Sequence, residues 1–176
     1  MRDADDIATF TAFVEARGAT LFRTAYLMVG DHQLAQDLVQ EALVKTLLAW
    51  PRLSDHANLD AYVRRIIVTT CISWRRRRAF HERPVETLPV PGGPDHADSV
   101  VTHDAVVIAL GALPPRQRAA IVLRYYQDLT EAQTAEAMGC SVGAVKSQVS
   151  VGLRRLRASL GSSFDRVATS DQEVPS

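Results

Sequence analysis

The stretch Leu129–Arg157, LTEAQTAEAMGCSVGAVKSQVSVGLRRLR, decides the fold. Val142, Val145, Val149, Leu153 and Leu156 recur at spacings of three and four, which predicts an amphipathic helix over Val142–Leu160. Ser141 is placed to be its N-cap. Thr130 is placed to cap a preceding helix over Glu131–Met138, and Ala132, Ala135 and Ala137 keep that helix slim enough for a second to pack closely. Gly139 stands where the chain must turn sharply, a common place for glycine past a helix C-terminus.

Helix, short glycine-bearing turn, helix is the helix-turn-helix arrangement, whose second helix enters the DNA major groove. That groove is about 12 Å wide and admits one helix. The rival reading is a plain αα-hairpin within a bundle. The outward face separates them: it carries Lys146, Ser147, Gln148, Val151, Arg154 and Arg155, with no acid from Cys140 through Gly161. A merely solvated helix usually mixes signs. Gln148 can pair bidentately with adenine, and Lys146 can donate to guanine. Arg154, Arg155 and Arg157 lie further along and suit phosphates. Ser141 and the neighbouring amides suit a phosphate at the helix N-terminus.

The rest of the chain gives few other leads. Twenty basic and twenty acidic residues in 176 cancel, so any nucleic-acid footprint must come from clustering. Eighteen of the twenty basic residues are Arg, whose donor fork suits phosphate, although a GC-rich genome gives the same bias. Cys71 and Cys140 lie far apart without CxxC or Cys/His spacing, so neither a metal site nor a disulfide framework is expected. The five His are scattered and no nucleophile–base pair is suggested, so the expectation is a non-enzyme without cofactor. The N-terminus is acidic and not of signal-peptide type, and no stretch approaches the ~20 apolar residues of a membrane span. A cytoplasmic location is expected.

The pattern is helical almost throughout, so the fold class is all-α. Gly and Pro divide the chain into helices near Asp6–Ala16, Thr20–Val29, Gln33–Trp50 and Leu59–Arg78, then Val101–Gly111, Pro115–Gln127, Glu131–Met138 and Val142–Leu160. Between the two sets lies RPVETLPVPGGPDHADS, Arg83–Ser99, of linker composition. The expected organisation is two small helical domains, 1–82 and 100–161, joined by a flexible acidic linker over 83–99, with a polar tail over 162–176.

Two N-terminal helices have unusual outer faces. In LAQDLVQEALVKTLLAW, Leu34–Trp50, the inner stripe is Ala35, Leu38, Val39, Ala42, Leu43, Thr46 and Trp50. Asp37, Gln40, Glu41, Val44 and Leu48 share the other side. Acids at one end and apolar groups at the other describe a protein-binding surface, or a helix buried on two sides. In YVRRIIVTTCISWRRRR, Tyr62–Arg78, the residues Val63, Ile66, Ile67, Thr70, Cys71 and Trp74 point inward. Arg64, Arg65, Val68, Thr69 and Ile72 point out. Cations offset the dipole at a helix C-terminus, but four consecutive Arg exceed that need and extend a basic face suited to a nucleic-acid backbone.

Taken together, these segments resemble the extracytoplasmic-function (ECF) group of bacterial RNA polymerase sigma factors, over roughly Thr20–Leu160. DLVQEALVKTLLAW resembles the polymerase-docking helix of sigma region 2. AYVRRIIVTTCISWRRRR resembles its helix for the −10 promoter element. ALPPRQRAAIVLRYYQDLTEAQTAEAMGCSVGAVKS resembles sigma region 4, which binds the −35 element. The resemblance implies promoter-directed transcription initiation, with core RNA polymerase and promoter DNA as partners, an anti-sigma factor as a further candidate partner, and no membrane insertion. It assigns Asp37, Gln40, Glu41, Val44 and Leu48 to polymerase docking. It assigns Asn58, Arg64, Arg65, Thr69, Trp74, Arg75 and Arg76 to −10 DNA, with the loop Arg52–Asn58 capturing a flipped base. Ser141, Ala144, Lys146, Ser147, Gln148, Val151, Arg154 and Arg155 fall to the −35 element, and the acidic linker to the RNA exit path.

The chain also departs from the family pattern. Asn is frequent where this chain has Thr69, and Arg where it has Gln148 and Val151. Two fewer cations remove about two phosphate contacts. Val151 then has two candidate roles: contact with a thymine methyl, or part of a protein interface. The alternative function is a stand-alone helix-turn-helix regulator, which needs neither the docking face nor the basic helix.

Overall fold

The computed structural model describes residues 4–53, 58–81 and 105–160. Among these, regular structure is helical throughout. The linker over 83–99, most of the loop Arg52–Asn58 and the tail over 162–176 lie outside the described residues.

The first helix, α1 (Ala4–Val29), is continuous. The expected break at Gly18 is therefore a correction. A lone glycine costs a helix interior about 1 kcal/mol, and a run of 26 residues held by packing absorbs it. Asp5 and Asp6 in its first turn oppose the helix dipole favourably. At the other end Gly30 adopts φ 75° and its N–H donates to the Tyr26 carbonyl at 2.7 Å, so the chain reverses at once. Asp31 then caps α2 (His32–Ala49) by accepting from the Leu34 amide at 2.8 Å.

In α2 the residues Ala35, Leu38, Val39, Ala42 and Thr46 are buried. A 3-10 turn, Trp50–Arg52, follows, and buried Trp50 meets Phe10 of α1 edge-on at 5.4 Å. The next helix, α3 (Leu59–His81), buries Val63, Ile67 and Cys71 against α1 and α2. Asp60 ties its first turn to Arg17 of α1 at 2.8 Å and to Arg64 one turn on.

The second half begins with α4, over 105–111, and continues with α5 (Pro115–Ile121), α6 (Glu131–Met138) and α7 (Val142–Leu160). Pro115 opens α5, where a missing N–H costs nothing. A π-turn, Val122–Tyr126, continues it. Gly152 of α7 is buried, and a Cβ there would lie 2.6 Å from Ile121 Cδ1, so glycine is what lets α7 close on α5.

The halves do not stand apart: α5 and α6 pack against α3. Val68, expected to point outward, is 0% exposed. Hydrogen bonds between described residues join the halves, among them Arg118 Nη1 to the Met28 carbonyl at 2.6 Å and Gln127 Nε2 to Thr24 Oγ1 at 2.6 Å. The buried Arg118 guanidinium also donates from Nε to the Leu110 carbonyl.

Candidate nucleic-acid and polymerase interfaces

The helix-turn-helix is locally determined. Thr130 Oγ1 accepts from the Gln133 amide, and Gln133 Oε1 accepts from the Thr130 amide at 2.9 Å, a reciprocal capping box. Gly139 takes the left-handed conformation, φ 61°, and the Cys140 N–H returns to the Ala135 carbonyl at 3.0 Å. Three residues after Met138, α7 begins with Ser141 Oγ accepting from the Ala144 amide at 3.2 Å. Val145, Gly152 and Leu156 are its buried positions, with Val149 and Leu153 partly buried. Val142, counted with the apolar stripe on spacing, is exposed. It lies in the first turn of the helix.

On the opposite side Ser141, Lys146, Ser147, Arg154 and Arg155 are exposed, with Ala144, Gln148 and Val151 half-buried. The acid missing from α7 itself comes from its neighbour: Lys146 Nζ lies 3.5 Å from Glu131 Oε2 of α6. Arg155 Nη1 donates to Gln117 Oε1 of α5 at 3.1 Å. Both contacts are exposed and exchangeable.

On α3, Asn58 just before the helix, Arg65 and Thr69 are exposed. The Thr69 hydroxyl donates to the Arg65 carbonyl at 2.8 Å, leaving its oxygen to accept outward. Arg64 departs from the expected display: its guanidinium turns to Asp60 and its side chain is only 14% exposed. Trp74 is half-buried. The helix continues through Arg75 and Arg76, whose side chains lie outside the described residues.

On α2, Asp37, Gln40, Val44 and Leu48 are exposed and Glu41 partly so. Leu48 at 76% and Val44 at 55% are large apolar groups in water, four residues apart on the face that also carries Asp37 and Gln40. Glu41 Oε1 pairs with Lys45 Nζ at 2.6 Å, and Lys45 also donates to Thr70 Oγ1 at 3.2 Å. Lys45, Thr69, Thr70 and Ser73 line a shallow depression of about 220 Å³ between α2 and α3. The α2 and α3 faces thus meet at Lys45, while α7 belongs to the second half and packs on α5 and α6, which in turn lie against α3.

Sequence reasoning missed two residues. Arg118 sits at a core position of α5, and a cation there predicts nothing until its carbonyl partners are known. Lys45 follows Glu41 by four residues, which signals an ion pair but not the depression.

A two-domain helical protein with a helix-turn-helix, an exposed acidic–apolar helix face and an arginine-rich helix has the outline of a promoter-binding subunit. The comparisons agree. Residues 13–81 match the family model for sigma-70 region 2, and residues 103–156 that for sigma-70 region 4. The chain is 36% identical over 157 residues to the RNA polymerase sigma-E factor of Streptomyces avermitilis, covering 89% of this chain and 88% of that one. It is 37% identical over 159 residues to that of Streptomyces antibioticus, covering 88% and 86%. In fold it is similar to the sigma factor RpoE of Bartonella quintana, solved with the anti-sigma factor NepR, at TM-score 0.70 and 24% identity over 87% of this chain and 97% of that one. The chain belongs to the sigma-70 family of RNA polymerase sigma factors, in its ECF group, and acts in promoter-specific transcription initiation.

Proposed function

We propose that this chain works through three surfaces. Asp37, Gln40, Glu41, Val44 and Leu48 of α2 dock on core RNA polymerase. Arg65, Thr69 and Asn58 contact −10 DNA, joined by Arg75, Arg76 and Trp74 further along α3, with Arg64 in a supporting role through Asp60. Ser141, Ala144, Lys146, Ser147, Gln148, Val151, Arg154 and Arg155 face the −35 element. The domains run over 1–82 and 100–161, with 83–99 as tether and 162–176 as tail.

The observation that carries this is the pairing of an exposed acidic–apolar α2 face with two cationic helices on one chain. A stand-alone regulator needs only α7. Docking on polymerase explains why Val44 and Leu48 remain in water when the protein is alone. The chain supplies binding and positioning, not catalysis; the polymerase it recruits performs the chemistry. No described helix is long and apolar enough to cross a membrane. We place the protein with its polymerase in the cytoplasm. The solved relative is held by an anti-sigma factor, and the same kind of partner would control this chain.

The test is run-off transcription with bacterial core polymerase on a pool of genomic promoter fragments, sequencing the starts. Discrete starts that share two upstream elements support the reading. A pull-down in which the chain fails to retain core polymerase would sink it.

A further inference from the structure

The geometry points to Lys45 as a phosphate contact for the single DNA strand lying along α3, held by Glu41 until α2 docks. This rests on the reading of α2 as docking face and α3 as −10 helix.

Three observations carry it. First, Lys45 is the charged residue among the four that line the depression, and the others, Thr69, Thr70 and Ser73, bear hydroxyls. A cation ringed by small polar groups suits an anion with further polar edges, which is what a nucleotide offers. Second, an ammonium has three N–H donors. Among the described residues, one goes to Glu41 at 2.6 Å and one to Thr70 Oγ1 at 3.2 Å, which leaves one donor for a ligand in the depression. Thr70 fixes the ammonium over the seam from the α3 side. Thr69 directs its own hydroxyl hydrogen into the α3 backbone, so its oxygen can accept from a base edge beside the phosphate.

Third, Lys45 joins the two surfaces. Its carboxylate partner, Glu41, lies on the docking face, and its depression opens beside Thr69 on the DNA face. The pair is exposed on both sides, 47% for Lys45 and 35% for Glu41, so it is weak and exchangeable. A basic docking partner drawing Glu41 outward leaves the Lys45 ammonium uncompensated, and the nearest replacement is a phosphate. Polymerase binding and strand binding are thereby coupled through one ion-pair exchange.

The experiment uses the full chain, alone and assembled with core polymerase, and fluorescein-labelled dT12 as probe. Phosphate contacts ignore base sequence, so this probe reports them. In the holoenzyme, Lys45→Ala should flatten the plot of log affinity against log salt by ~0.7, the loss of one single-strand phosphate contact. Lys45→Arg should restore the slope. In the chain alone, Glu41→Gln should raise affinity for dT12 several-fold, and adding Lys45→Ala should abolish that gain. An unchanged slope in Lys45→Ala overturns the proposal, as does a Glu41→Gln gain that persists without Lys45. Core affinity is titrated in parallel. Loss of core affinity in Lys45→Ala would put Lys45 in the docking face instead, and a wild-type chain that ignores core would overturn the docking reading itself.

Discussion

Arg118 and Met28, ninety residues apart, are joined by a 2.6 Å hydrogen bond from the guanidinium Nη1 to the backbone carbonyl. Met28 lies in the last turn of α1, and Leu110, which accepts from Nε of the same guanidinium, lies in the last turn of α4. Terminal carbonyls of a helix lack partners within it and carry the negative end of its dipole. One buried cation with a forked donor set therefore serves two helix ends, one from each half of the protein.

Arg118→Met should consequently cost about 3 kcal/mol, because two buried carbonyls lose a charged donor. Arg118→Lys should recover little of this, since a single ammonium cannot span both carbonyls as the planar fork does. Urea denaturation followed by circular dichroism checks both. A loss below about 0.5 kcal/mol in Arg118→Met would mean that the clasp contributes nothing net.

Gly152 and Ile121 give a second stability prediction. A Cβ at Gly152 would stand 2.6 Å from Ile121 Cδ1, so Gly152→Ala overpacks the α5–α7 contact and should cost about 1–3 kcal/mol. Ile121→Val removes the clashing methyl. The double variant Gly152→Ala with Ile121→Val should be more stable than the sum of the single losses predicts, by about 1 kcal/mol. Additive losses in the same urea measurement would refute the close approach.

What was legible in the sequence was what neighbouring residues decide. The limits of α6 and α7 follow from Thr130, Gly139 and Ser141, each acting within four residues of itself. The inner stripe of α2 follows from helical period. What was illegible depends on distant partners. Gly18 looks like a break because local propensity says so, but α1 is held by α2 and α3. Val68 looks exposed because the α3 pattern alone cannot reveal α5 and α6 lying across it. Arg64 looks like a DNA contact until Asp60, on the same helix, claims it. The exposed faces of α2 and α7 were visible as patterns, and their chemistry came from residue type rather than from the fold.

Gln148 and Val151 occupy half-buried positions on the outer side of α7, where added cations would reach a duplex backbone. Gln148→Arg with Val151→Arg should steepen the salt dependence of holoenzyme binding to a duplex promoter fragment by ~0.9 per added phosphate contact. If Gln148 reads adenine, the same variant should also lose preference between an A·T and a G·C pair at one −35 position. Binding titrations at several salt concentrations, on paired fragments, give both numbers. A slope unchanged by two new cations would remove α7 from the DNA interface.

Asp37→Arg tests the docking face directly. Asp37 is exposed and its described contact is a weak one from Gln33 Nε2 at 3.2 Å, so folding stability should change by less than about 0.5 kcal/mol. An acidic docking surface implies a basic one opposite, and reversing a central charge places like charges together, which costs several kcal/mol at an interface. Core-polymerase affinity should fall about 100-fold, as read by fluorescence titration. Binding of the chain alone to a duplex at low salt should be unimpaired, because α7 lies in the other half and the substitution only adds positive charge. Retained core affinity would show that the α2 acids face water for some other reason. Loss of both activities together would show that α2 and α7 act through one surface, contrary to their placement in different halves of the fold.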